Sequence, residues 1–69
     1  MAGGMKEEFI IEFIRLGDSV KVSAIDPVSG REVCVIVPAK GVTQKRMMEL
    51  ASQKLRYVLN KEKSEDNLY

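Results

Sequence analysis

Three runs rich in β-branched and aromatic residues, at 9–16, 19–25 and 32–37, are separated by turn chemistry, and the first carries apolar residues at both parities. That pattern predicts three strands joined by two hairpins. Gly17-Asp18 fits a two-residue type II′ turn with glycine in the first central position, which sets Phe13 opposite Val22 and Ile11 opposite Ala24. The second loop, "DPVSG", places Pro27 where φ near −65° is wanted and Gly30 where a positive φ is wanted. Pairing Asp26 with Arg31 then sets Ala24 opposite Val33, Val22 opposite Val35 and Val20 opposite Val37. The two turns choose the same face independently, and a slip of one residue would scatter its apolar side chains.

After Gly41 the apolar period becomes that of a helix. Thr43 fits an N-cap, with Val42 and Met47 placed to close a hydrophobic staple across it. Met47, Met48, Ala51, Leu55, Val58 and Leu59 fall on one stripe, with Leu50 and Tyr57 at its margin, and Asn60 is the expected end. The predicted fold is α+β, a three-stranded antiparallel meander (β-β-β-α) with one C-terminal helix packed on one sheet face. Residues 1–8 are expected to form a flexible N-terminal arm, 9–61 a single α+β domain, and 62–69 a charged flexible tail.

The opposite sheet face is the anomaly. It carries Ile10, Ile14, Leu16, Ile25, Cys34 and Ile36 among Glu12, Lys21, Ser23 and Glu32, too apolar for a solvated face and too polar for a second core. Burying four such aliphatics against a partner contributes on the order of 6 to 12 kcal/mol before association costs. The third strand, "EVCVIV", is also an edge with no charge between Val33 and Val37, which invites pairing with another chain. Ile10, Ile14, Ile25, Cys34 and Ile36 are therefore the candidate interface, used through the face or through the edge. Ile36 lies on both. A homodimer is the expected assembly, with another protein as the alternative occupant.

Composition sharpens this picture. A chain of 69 residues buries only about 60% of its unfolded surface, so association is one route to added stability. Cys34 is the single cysteine, which rules out an intrachain disulfide and suits a reducing cytoplasm. No apolar run reaches membrane-span length, and the start lacks the features of a secretion signal, so a cytoplasmic protein without membrane contact is expected.

The net charge of +1 conceals a division. Residues 38–61 hold Lys40, Lys45, Arg46, Lys54, Arg56 and Lys61 against Glu49 alone. Lys40, Lys45 and Arg46 surround the helix start, where exposed N–H groups already favour anions. Lys40, Thr43, Lys45 and Arg46 form the candidate anion site, for a phosphate, a nucleic-acid backbone or an acidic protein. Nucleic acid is the weaker of these, because no aromatics interleave the basic residues.

Catalytic chemistry is sparse. The chain has no histidine, which removes the Ser-His and Cys-His nucleophile pairs and the commonest metal ligand. Cys34 reads as a small strand hydrophobe between valines, and Glu12 and Glu32 as solvated charges. There is no phosphate-binding loop, dinucleotide fingerprint or paired-cysteine metal motif, so no cofactor, metal or catalytic residue is assigned. The expected function is a non-enzymatic homodimerisation or protein-interaction module. An anion or nucleic-acid binding module is the first alternative, and a small enzyme subunit the second.

With "SAIDPVSGREVCVIVPA" and "LASQKLRYVLNK" in view, the chain resembles a family of short uncharacterised bacterial proteins. Those proteins combine an Asp-Pro hairpin, a valine-rich strand and a helix ending in Lys-Leu-Arg-Tyr-Val-Leu, here Lys54 to Leu59. The resemblance spans about residues 9–61. It implies a bacterial cytosolic origin and no activity, and it carries over no catalytic residue.

Overall fold

The computed structural model describes residues 8–67, with side chains described to residue 62. The arm expected at residues 1–8 therefore lies almost wholly outside the described residues. Strand β1 spans Ile10–Leu16, β2 Ser19–Ile25 and β3 Glu32–Pro38, and helix α1 spans Gln44–Asn67. The strands form one antiparallel sheet in the order β1-β2-β3. The expected meander is observed, and so is its register: Phe13 faces Val22, Ile11 faces Ala24, Val22 faces Val35 and Ala24 faces Val33.

Turn chemistry explains that register. Leu16 pairs with Ser19, leaving Gly17 and Asp18 as a two-residue loop. Gly17 has φ +60°, and no described non-glycine residue has a positive φ, so only the first central position is left-handed, as type II′ requires. The side chain of Arg15 donates to the Gly17 carbonyl. In the second loop the Asp26 N–H donates to the Arg31 carbonyl, and the Gly30 N–H, from a residue with φ +80°, donates to the Asp26 carbonyl, both at 2.8 Å. The Asp26 carboxylate accepts from the Ser29 hydroxyl at 2.8 Å and the Val28 N–H at 3.1 Å. Those bonds, the Ser29 hydroxyl foremost, hold the Asp26 carboxyl below its ordinary pKa.

The helix starts as its sequence dictates. The Thr43 hydroxyl accepts the Arg46 N–H at 3.1 Å, and the Thr43 carbonyl accepts the Met47 N–H at 2.9 Å. Val42 packs against the cluster that contains Met47, completing the staple. The core is Val22, Ala24 and Val37 from the sheet with Met47, Ala51 and Leu55 from the helix. Val22, Ala24, Ala51 and Leu55 have no exposed surface.

Three expectations are corrected. The helix does not end at Asn60 but continues through Asn67, which places 62–67 of the expected tail in helix. Nothing after Asn60 stops it: the following residues include neither glycine nor proline, and Arg31 forms a 2.9 Å ion pair with Glu62. Met48, expected to be covered as part of the apolar stripe, is 41% exposed, and Phe13, which lies on the helix-facing side as expected, is 36% exposed instead of covered. Both follow from where the helix lies, because α1 packs over β2 and β3 and leaves β1 to one side.

Two measurements test this construction. Leu55→Ala should destabilise the domain by about 2–5 kcal/mol, through lost burial and the cavity left behind, read from urea unfolding. The lowered pKa of Asp26 makes a contribution that is fully present above its ordinary value of 3.8 and is lost as pH falls through that value and the lower folded one. Asp26→Asn should therefore melt at a temperature that changes less with pH below about 4 than the parent's does. Parallel melting curves for the two proteins would remove the assigned role of this carboxylate.

Candidate functional site

Alternation places Ile10, Glu12, Ile14 and Leu16 of β1 on the face away from the helix, with Lys21, Ser23 and Ile25 of β2 and Glu32, Cys34 and Ile36 of β3. Ile10, Ile14, Leu16 and Ile36 expose 50, 46, 48 and 58% of their surface there. Ile25 and Cys34 are half-buried, and Ser23 at the centre is 2% exposed beneath its longer neighbours. Of the predicted interface residues, the structure thus leaves Ile10, Ile14 and Ile36 open and partly shields Ile25 and Cys34. Leu16 joins them as a large exposed aliphatic. The apolar exposure is concentrated on β1.

The two sheet edges differ. Hydrogen-bonded and non-hydrogen-bonded pairs alternate along an antiparallel ladder. The Asp26–Arg31 bond and the 2.8 Å bond from the Ala39 N–H to the Asp18 carbonyl fix which β3 residues face β2. By that alternation Glu32, Cys34, Ile36 and Pro38 turn their backbone groups outward. Pro38 therefore loses no ladder bond through its missing N–H. The ammonium group of Lys54 reaches over from α1 and donates to the Cys34 carbonyl at 2.9 Å. The Arg31–Glu62 pair ties a later turn of the helix to the start of the same strand. The edge that its sequence marked as bare is thus partly closed by the helix. Sequence gave no signal for this, since Lys54 and Cys34 lie on different elements and meet only when the helix settles toward β3.

Near the opposite end of the sheet, Arg15, Asp18, Pro38, Ala39 and Lys40 line a shallow pocket of about 340 Å³. It joins one residue of the candidate anion site, Lys40, to Arg15 and Asp18, whose participation depends on the β1 turn. Thr43 is engaged as the helix cap, and Arg46 lies 3.4 Å from Glu49 one turn later. Lys45 is exposed. The positive charge at the helix start is therefore partly offset within the helix, and Asp18 brings a carboxylate into the neighbouring pocket. No group of three or more potential metal-ligating side chains occurs among the described residues, and no described helix is long and apolar enough to cross a membrane.

If Lys54 holds the helix against the β3 edge, Lys54→Met should lower stability by about 1 kcal/mol, because it keeps the aliphatic stem and removes one partly solvated charged hydrogen bond. An unchanged urea midpoint would show that this contact is not maintained in solution.

A family described as a domain of unknown function, DUF6898, matches residues 6–62, and the chain belongs to that family. No curated protein and no solved structure gives a significant match.

Proposed function

We propose that this member of a domain family of unknown function is a non-enzymatic association module that works as a homodimer. One observation carries the proposal: β1, with five apolar residues in seven, is the least covered strand of the sheet. Ile10, Ile14 and Leu16 are exposed on its open face, and Phe13 is exposed on the side facing the helix. Clustered apolar exposure of this kind marks interaction surfaces, whereas isolated exposed aliphatics carry no such meaning.

A second copy is the favoured occupant because a 69-residue domain has a thin stability margin that association would widen. The non-enzymatic reading is supported by the absence of histidine from the chain and by a shallow pocket whose charged groups are Arg15, Asp18 and Lys40. Salt dependence separates the two modes of association, since apolar pairing should vary little with ionic strength and phosphate neutralisation should fall steeply.

The purified protein should sediment as a dimer at micromolar concentration. Its melting temperature should rise by several degrees over about a hundredfold increase in concentration, because the partner acts as a ligand of the native state. A monomer at every accessible concentration, with a melt independent of concentration, would reject the proposal.

A further inference from the structure

We infer that the dimer forms by antiparallel pairing of β1 with β1 of a second copy, about a two-fold axis at Phe13, to give a continuous six-stranded sheet. This rests on the self-association reading above and specifies its geometry. Leu16 and Ser19 flank a two-residue turn and so form a hydrogen-bonded pair, and alternation then turns the backbone groups of Ile11, Phe13 and Arg15 away from β2. No backbone hydrogen bond outside the sheet ladder engages them among the described residues. The corresponding edge of β3 carries the Lys54 contact at Cys34, which makes β1 the more open edge.

Strand β1 can pair with itself over its full length in one register, with apolar contacts at its centre and its ends. Centred on Phe13, Ile11 pairs with the partner's Arg15, Phe13 with the partner's Phe13, and Arg15 with the partner's Ile11, making about six backbone hydrogen bonds. On the open face Ile10 meets the partner's Leu16, and Glu12 meets the partner's Ile14. Centring the axis on Glu12 would oppose two carboxylates in a close pair. Centring it on Ile14 would leave Ile10 and Ile11 opposite the Gly17-Asp18 turn and lose part of the ladder. Stacking the two open faces would instead desolvate Glu12, Lys21 and Glu32, whereas edge pairing leaves these charges in water.

The helix side supplies a second, independent reason. Lys54 points to the β3 edge, and at 100° per residue Met48 lies on the other flank of α1, toward β1. Phe13 and Met48, exposed at 36% and 41%, therefore border the uncovered strip between helix and β1. A second copy paired at β1 brings the partner's Phe13 against this strip.

Amide hydrogen exchange on the intact protein, followed across the dimer dissociation range, reads the geometry directly. The amides of Ile11, Phe13 and Arg15 should be protected in the dimer and lose protection on dilution, while those of Cys34 and Ile36 should not change. Because the axis places residue 13 opposite itself, Phe13→Glu and Phe13→Arg should each weaken self-association by about a hundredfold or more, and an equimolar mixture should re-associate as a heterodimer. Circular dichroism of each variant establishes that it is folded. A dimer whose Ile11, Phe13 and Arg15 amides exchange freely overturns this inference and leaves the self-association reading standing. Folded variants whose mixture stays as dissociated as each alone overturn the two-fold at Phe13. A parent that is monomeric throughout overturns both.

Discussion

One helix is too narrow for three strands. With side chains α1 is about 10–12 Å across, while neighbouring strands lie about 4.8 Å apart, so a single helix laid along a sheet covers roughly two of them. Most features of this molecule follow from which two it covers. Val22 and Ala24 on the central strand lose all exposure, and Val37 nearly all, because β2 and β3 lie beneath α1. Phe13 occupies an equivalent register position opposite Val22 and remains more than a third exposed. The difference lies in lateral position, since both side chains point to the same face.

Contacts at the helix flank favour β3 over β1. Lys54 finds an outward carbonyl on β3, and Glu62 finds Arg31 at the entrance to that strand. Each is a partly solvated polar contact of modest strength, about 1 kcal/mol or less for the ion pair. They nevertheless act together at two points along the helix, which limits sideways sliding. The core side chains alone permit such sliding, because Ala51 and Leu55 require an apolar floor and the face of β1 also offers one.

This separates what was legible in the sequence from what was not. Register was legible because it is written locally: Gly17 supplies the positive φ of the first turn, Gly30 that of the second, and both loop lengths impose the same parity on β2. The start of the helix was legible for the same reason, through Thr43 and the Val42–Met47 staple. Helix placement was not, since periodicity identifies an apolar stripe but not the strands beneath it, and so Met48 and Phe13 were assigned to the core. The helix end was missed because Asn60 is only a permissive stop signal, outweighed by the helix-compatible residues after it and the Glu62 pair. At the candidate surfaces, the residues of the open face were correctly grouped by parity, but relative edge exposure required the position of Lys54. The pocket at Arg15 and Lys40 was hidden because its walls are distant in sequence.

The unequal edges also bear on how association can stop. A sheet with two equally open edges can add copies without limit, as in fibrillar assembly. Pairing through β1 about a two-fold axis consumes that edge in both copies and leaves two β3 strands outside. Each outer strand carries the Lys54 contact at Cys34 and ends at Pro38, whose ring nitrogen has no hydrogen to offer a further strand. The position of the helix thus has two linked effects in this geometry: it withholds cover from β1, where association buries apolar surface, and it partly closes β3, where continued pairing would produce a polymer. In the proposed pairing, the same bias of α1 toward β3 would favour a closed dimer over an open chain of subunits.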